Sequence, residues 1–435
     1  MTNIENESIF VERRRRMKYI TREVEEIIKQ AEKMFKCVLV TGARQTGKST
    51  MLKELYPEMK YVSLDDPFIE EQAAENSSTF IMLNPPPVIY DEVQRAPELF
   101  RHIKIKCDSE SEKGLFFLSG SQPFELMKNV SESLAGRVGI IELSGLSLRE
   151  IQKDGFCEPF VPTLEYIQKR GVSAKAPKNL WEVIHRGGYP ELQDKSIDWS
   201  TFYASYVKTY LERDVRELSA VHNLNDFRRF MVAAAARTGQ MLNYANIADE
   251  IGKDIGTVKN WVSILEASGI VYLLEPYTSS VLKRAIKTPK LYFRDTGLAA
   301  YLTRWLTPET LAVGAMSGAF FETFVISEIL KSYSNRGIDY RYCVSYYRGK
   351  DKKKIVNDGN TVELESEIDL IIEENGVLYP VEIKQSSNVR AEETAAFTVL
   401  DKIPEKKRGM GAIVCMCPQP GMLRENIMQI PVWFI

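Results

Sequence analysis

The chain has 435 residues, of which 44% are hydrophobic and 27% are charged, and its formal net charge at pH 7 is −2. This length suggests roughly two to four domains, and the near-neutral charge excludes an overall basic surface, so any contact with nucleic acid must be local. No apolar run approaches the roughly 18 residues of a membrane helix, and the first ten residues lack the apolar core of a signal peptide. Six scattered cysteines and only three histidines argue against a zinc site and favour a reduced, cytoplasmic protein.

The first part of the chain, to about residue 155, alternates apolar strands with helical segments, as a parallel α/β sheet requires. A cluster of four arginines at positions 13–16 precedes this part. We interpret the cluster as the solvated start of a helix rather than as a nucleic-acid contact.

The apolar run Val38–Val40 leads directly into the pattern G-x-x-x-x-G-K-S. The glycines permit a tight loop whose backbone N–H groups surround one point at the start of a helix. In such a loop the lysine reaches the β- and γ-phosphates and the serine hydroxyl ligates Mg²⁺. The sequence therefore predicts a site for ATP and Mg²⁺ formed by Gly42, Ala43, Arg44, Gln45, Thr46, Gly47, Lys48, Ser49 and Thr50.

A second apolar strand, residues 87–90, ends in the two carboxylates Asp91 and Glu92. We expect Asp91 to hold Mg²⁺ through water together with Ser49, and Glu92 to polarise the attacking water as a general base. A third strand, residues 114–118, ends in polar residues 119–122 that can orient the water or sense the γ-phosphate. Together with Lys48 these residues favour ATP hydrolysis over phosphate transfer to an acceptor.

The middle of the chain predicts a connector at residues 161–178, a helical region from Trp181 to about Ser219, and then a helix-turn-helix. Its two helices are predicted at 244–251 and 255–267, separated by Gly252, with Asp254 as the cap of the second helix. Residues 270–274 and 289–294 are expected to form a wing. Local basic residues suited to phosphate contacts are Lys283, Arg284, Lys287 and Lys290. We give equal weight to a winged helix that serves for domain packing or protein contacts.

The last part of the chain predicts a second chemistry. Asp369 lies in an apolar strand at 366–372, and Glu382 and Lys384 share one face of the next strand, 377–384, since side chains alternate along a strand. Two carboxylates beside a lysine are typical of a divalent-metal site. We therefore expect Asp369 and Glu382 to ligate Mg²⁺, Lys384 to position water or stabilise phosphate charge, and Glu322 on the preceding helix to complete the site.

Several long motifs carry a resemblance that spans nearly the whole chain. They are LSGSQ at 118–122, SESLAGR at 131–137, GGYPE at 187–191, YLERDV at 210–215 and YFRDTGL at 292–298. On these residues the chain resembles the family of AAA-type ATPases with a C-terminal DUF4143 domain, whose C-terminal region looks like the PD-(D/E)xK nuclease fold. The charged residues inserted at 351–360, before the metal-bearing hairpin, depart from the family pattern and put the approach of a substrate in doubt.

The resemblance implies an α/β fold in four domains. These are a P-loop ATPase domain at 1–160, a helical lid at 161–223, a winged helix at 224–300 and the nuclease-like domain at 301–435. AAA-type modules usually place an arginine from a neighbouring subunit or partner against the γ-phosphate. Arg137 is our candidate for this finger and Arg213 the second choice, and either can instead be a structural arginine.

Two functional hypotheses follow. In the first, nucleotide state gates a metal-dependent nuclease that acts on DNA or RNA. In the second, the protein is an ATP-dependent switch whose nuclease-like domain is catalytically inert and recognises DNA or protein. The slightly acidic chain and the sparse recognition helix favour the second, whereas the four site residues favour the first.

Overall fold

The computed structural model describes residues 19–121, 130, 133–210, 223–277, 288–355 and 361–435. The arginine cluster at 13–16 and the predicted basic residues Arg213, Lys283, Arg284 and Lys287 lie outside these ranges. None of the helices within them has both the length and the apolar composition needed to cross a membrane.

The N-terminal part is built on five parallel strands in the order β2-β3-β4-β1-β5. Separate apolar clusters cover the two faces of this sheet, as expected for parallel strands that are buried on both sides. The strands are β1 (Cys37–Thr41), β2 (Lys60–Ser63), β3 (Val88–Asp91), β4 (Phe116–Ser119) and β5 (Val138–Glu142). The helices are α1 (Glu25–Met34), α2 (Lys48–Leu55), α3 (Pro67–Glu75), α4 (Ser77–Leu83), α5 (Leu99–Ser109) and α6 (Leu148–Gln152). The predicted α/β fold with a parallel P-loop sheet is confirmed.

The middle part is mainly helical and contains the helix-turn-helix. Gly252, with φ of 67°, ends the first helix of the motif, and the Asp254 carboxylate accepts a hydrogen bond from Thr257 N at 2.9 Å to begin the second. The helices are α7 (Leu164–Arg170), α8 (Leu180–Arg186), α9 (Trp199–Tyr210), α10 (Leu224–Ala235), α11 (Tyr244–Ile251), α12 (Ile255–Ala267), α13 (Thr296–Leu302) and α14 (Pro308–Val313). A small antiparallel sheet in the order β6-β8-β7 flanks the motif in sequence. One strand precedes the motif and two follow it: β6 (Gln240–Met241), β7 (Val271–Leu274) and β8 (Lys290–Phe293).

The C-terminal part places a long helix, α15 (Ser317–Ser334), against a mixed seven-stranded sheet. The strands are β9 (Val344–Ile355), β10 (Thr361–Glu374), β11 (Val377–Lys384), β12 (Lys407–Arg408), β13 (Gly411–Cys415), β14 (Gly421–Arg424) and β15 (Ile427–Pro431). Their order is β14-β15-β13-β11-β10-β9, with β12 beside β11. Residues 351–355 of the charged insertion continue β9, which pairs with the beginning of β10. The described residues of the insertion therefore extend the pairing of β9 with β10, the first strand of the predicted metal-bearing hairpin.

A single hydrophobic core runs through the middle and C-terminal parts. It includes Ile184 of α8, Trp261 of α12, Phe293 of β8, Phe324 of α15 and Val381 of β11. Because one core joins these elements, the helix-turn-helix, its sheet and the C-terminal sheet pack as one body.

Candidate functional site

The glycine loop lies at the carboxyl end of β1 and leads into α2. Gly42 has a φ of 142°, and a Cβ atom at this position would lie 2.2 Å from the carbonyl oxygen of Leu143. Gly47 has a φ of 91° and gives α2 no side-chain cap. The loop therefore approaches β5 closely, and the first N–H groups of α2 face the loop without a capping side chain, as anion binding requires.

Lys48 is buried, and its Nζ donates to the carbonyl oxygens of Gly42 at 3.0 Å and Ala43 at 2.9 Å. The lysine thus bends back over the loop. The ammonium is held next to the backbone that is expected to surround the phosphates.

The hydroxyl of Ser49 donates to Asp91 Oδ1 at 2.8 Å. Ser119, at the end of β4, also donates to Oδ1, and Tyr61 of β2 donates to Oδ2. A serine hydroxyl beside a carboxylate is an oxygen donor set that suits Mg²⁺, so these residues fit the expected metal. Burial, together with the hydrogen bond to Asp91, raises the pKa of Tyr61, which keeps this hydroxyl a donor at neutral pH.

Glu92 adopts a left-handed backbone with φ of 55°, a conformation that costs energy for a side chain other than glycine and is frequent at functional sites. Its Oε2 accepts hydrogen bonds from Gln94 Nε2 at 2.5 Å and from Ser121 Oγ at 3.0 Å. These two donors fix the carboxylate at the end of the sheet beside Asp91. Gln94 and Tyr61 were not predicted from sequence. Tyr61 reaches Asp91 only through a tertiary contact, whereas Gln94 lies two residues after Glu92 and its nearness in sequence was the signal that could have identified it.

An open cleft of about 660 Å³ joins the loop to the acids. Tyr206 and Thr209 of α9 contribute to one wall, so the helical region borders the nucleotide cleft. The remaining lining residues are Arg44, Gln45, Gly47, Lys48, Ser49, Thr50, Glu92 and Ser121.

Arg137 lies at the opposite end of the sheet from the glycine loop. Its carbonyl oxygen accepts from the N–H of Cys37, the first residue of β1, whereas the loop follows the last residue of that strand. Its guanidinium forms two hydrogen bonds with Asp108, at 2.5 and 3.1 Å. A strand of this length spans about 16 Å, so Arg137 does not serve the loop of its own chain in this arrangement.

The predicted C-terminal residues lie near one another, but a lysine stands among them. Lys290, at the start of β8, has a side chain that is 4% exposed. Its Nζ lies 2.6 Å from Glu367 Oε1, 3.3 Å from Glu322 Oε1 and 3.8 Å from Asp369 Oδ1. The expectation that Lys290 forms part of a solvent-facing basic wing is therefore wrong, because three carboxylates make its burial favourable.

The other groups of this cluster are also engaged. Asp369 Oδ2 accepts from the N–H of Ile383 at 2.9 Å, and Lys384 Nζ donates to Glu382 Oε1 at 2.5 Å. Glu382 is 8% exposed; its Oε2 has no hydrogen-bond partner among the residues that the structure describes.

The electrostatics of the cluster follow from this crowding of buried acids. Burial, and then the charge of Asp369, raises the pKa of Glu382 to about 8 and that of Glu322 to about 7. Within the described ranges, no set of three or more His, Cys, Asp or Glu side chains is arranged to hold a metal ion. As they stand, Glu322, Asp369 and Glu382 do not fit the predicted Mg²⁺.

Comparisons with known proteins find family models that match three segments of the chain. Residues 34–152 match the model of an AAA domain, AAA_14. Residues 177–309 match DUF8612, and residues 360–435 match DUF4143, both of which are domains of unknown function.

Relatives that match most of the chain, and similar solved structures, share little sequence identity with it. Uncharacterized proteins of Mycobacterium bovis and Mycobacterium tuberculosis are each 27% identical over 355 residues, which are 80% of this chain and 70% of theirs. A Walker-type ATPase of Pyrococcus abyssi has 14% identity and a TM-score of 0.41, covering 66% of this chain and 97% of that one. A signal-transduction ATPase of Pyrococcus horikoshii has 12% identity and a TM-score of 0.25, covering 73% and 47%. By its domain matches and its motifs, this chain joins an AAA-type ATPase domain to a C-terminal DUF4143 domain.

Proposed function

We propose that the chain binds ATP with Mg²⁺ in the cleft beside the glycine loop and hydrolyses it. The observation that carries the proposal is the contact between Ser49 and Asp91 next to Lys48 and Glu92. When bound, Mg²⁺ neutralises charge on the phosphate oxygens, and Ser49 and Asp91 are the residues that would hold it. Lys48 stabilises the negative charge of the phosphates, and Glu92 takes a proton from the attacking water.

The test is ATP turnover by a Lys48→Ala variant. We expect turnover to be abolished, because the loop then lacks the lysine that reaches the β- and γ-phosphates. Lys29→Ala, which removes an exposed lysine of α1, is the control and should hydrolyse ATP at the wild-type rate. Unchanged turnover in Lys48→Ala would overturn the proposal.

We further propose that the nucleotide state acts on the C-terminal domain and its contact with DNA or RNA. Contacts along α15 support this coupling, since Glu328 Oε2 accepts from Leu148 N at 2.8 Å and Lys331 Nζ donates to Leu146 O at 2.9 Å. Both contacts attach α15 to the segment that follows β5, and the same helix carries Glu322. One element thus touches the ATPase domain and the carboxylate cluster.

The C-terminal domain has two candidate roles, nuclease and inert recognition module. The position of Lys290 among the carboxylates favours the second in the arrangement that the structure describes. Purified protein should be incubated with single- and double-stranded DNA and RNA in Mg²⁺ or Mn²⁺, with and without ATP. Intact substrates under all conditions would reject the nuclease, and metal-dependent cleavage that Glu382→Gln abolishes would establish it.

A further inference from the structure

The carboxylate cluster at the C-terminal sheet already holds a cation that the chain itself provides. Lys290 lies within 4 Å of three carboxylates, and its side chain is almost completely buried. Burying one ammonium is costly unless acids surround it. Here Glu322, Asp369 and Glu367 supply that compensation and raise the pKa of Lys290 although burial opposes it.

The hydrogen bonds of the neighbouring acids show which of their oxygens have partners and which do not. Glu322 Oε1 also accepts from Tyr292 at 2.5 Å, so β8 provides both donors to this acid. Meanwhile Glu382 Oε2 stays buried without a partner among the described residues. The cluster therefore engages a lysine and still leaves one carboxylate oxygen without a hydrogen bond among the described residues.

We propose that Lys290 is the resident cation of this cluster and excludes divalent metal from it as long as β8 stays in place. The proposal deepens the proposed control of the C-terminal domain and rests on it. It accounts for the disagreement between the predicted metal ligands and their arrangement, because an ammonium occupies the space between Glu322 and Asp369.

The strand that carries Lys290 is also attached to the ATPase domain. Arg294, which directly follows β8, pairs with Glu142 at the end of β5 and donates to the hydroxyl of Tyr340 at 3.3 Å. Lys290 and Arg294 lie four positions apart along an extended chain, or about 13 Å. Displacement of β5 relative to the C-terminal sheet would therefore act on the strand that holds the lysine.

Metal binding without nucleotide tests this role directly. All proteins carry Ser49→Ala, which removes a metal ligand of the ATP site, and free Mn²⁺ is measured by electron paramagnetic resonance during titration. We expect the carboxylate cluster of Lys290→Met to bind one Mn²⁺ with an affinity at least about tenfold higher than that of the same cluster in the parent. The reason is that the variant removes the repulsion between the lysine ammonium and Mn²⁺. Lys290→Arg, which keeps the positive charge, should behave like the parent.

Two further variants identify the site and guard against misfolding. Adding Asp369→Asn to Lys290→Met should abolish the extra site. If the methionine variant does not fold, Lys290→Gln keeps hydrogen-bond donors for the acids and takes its place. Equal Mn²⁺ binding by parent and variant, or no binding by either, would overturn the proposal. ATP turnover of Lys290→Met in the chain with Ser49 intact is measured separately, so failure of this inference is distinguishable from failure of the proposed ATPase.

Discussion

Arg22 ties the glycine loop to the rest of the ATPase domain, and its removal gives the sharpest prediction. The guanidinium is buried and forms an ion pair with Glu150 at 3.0 Å. It also donates to the carbonyl oxygens of Thr46 in the loop at 3.0 Å and of Ser144 at 2.7 Å. One side chain therefore fastens the loop to the segment after β5.

The expected loss in the free energy of unfolding of Arg22→Met depends on the hydrogen bonds that Glu150 keeps. Removing one partner of a buried ion pair usually costs about 3–5 kcal/mol. Glu150 keeps two backbone donors, Glu23 N at 2.9 Å and Ser147 N at 2.8 Å, so we expect a loss near the lower end, about 3 kcal/mol. ATP should also bind more weakly, because the carbonyl of Thr46 loses its donor and the loop its fixed position.

The assay is urea unfolding at pH 7 together with ATP titration. Arg424→Met is the matched control, because its ion pair with Glu392 is exposed on both sides and should contribute no more than about 1 kcal/mol. The double variant Arg22→Met/Glu150→Met should cost less than the sum of the single changes. A loss of stability in Arg22→Met no larger than that in Arg424→Met, or additive effects of Arg22→Met and Glu150→Met, would contradict this role of Arg22.

Three further outcomes test other contacts. Gly187→Ala should lower the free energy of unfolding by about 3 kcal/mol or more, since the φ of Gly187 is 81° and a Cβ would lie 2.5 Å from a buried tyrosine hydroxyl. Gly136 has a φ of 75° but open space around it, so Gly136→Ala should cost only about 1 kcal/mol. Thermal unfolding compares the two variants. Arg137→Ala should lower ATP turnover by about a thousandfold if this residue is the finger of a neighbouring subunit, and turnover that does not change over a range of protein concentrations would reject the assignment. Burial, and then the charge of Glu150, raises the pKa of Glu23 from 4.5 to about 7, so the folded state holds this proton more tightly and the free energy of unfolding should fall as pH rises through that interval. Glu23→Gln should lose this part of the pH dependence in urea unfolding at pH 5 and pH 8, and an unchanged slope would contradict the assignment.

The ATPase half could be predicted from sequence because its chemistry is local. The glycine loop and the pair Asp91–Glu92 each follow a buried strand, and parallel strands bring their carboxyl ends to one edge. The helix-turn-helix was equally readable, since Gly252 and Asp254 mark its turn. In each case a few adjacent residues specify both the backbone and the side chain that it presents.

Contacts between distant segments could not be predicted in this way. Arg22 and Glu150 are 128 residues apart. Tyr61 reaches Asp91 from the adjacent strand β2, which carried no strong sequence signal of its own. Nothing in the sequence around either residue distinguishes it from an ordinary surface arginine or strand tyrosine. Their roles depend on the packing of elements, which one sequence does not reveal.

The environment of Lys290 also depends on distant segments, and this changes the role that can be assigned to the residue. A lysine at the start of a wing strand indicates a phosphate contact when only its neighbours are considered, because lysine is rarely buried. Its actual environment comes from Glu322 and Glu367, which lie 32 and 77 residues further along the chain. Lys290 of β8 thus lies in the carboxylate cluster, and Arg294, the residue after this strand, is paired with Glu142 of the ATPase domain. The strand first interpreted as part of a nucleic-acid wing thus connects the carboxylate cluster to an ion pair with the end of β5.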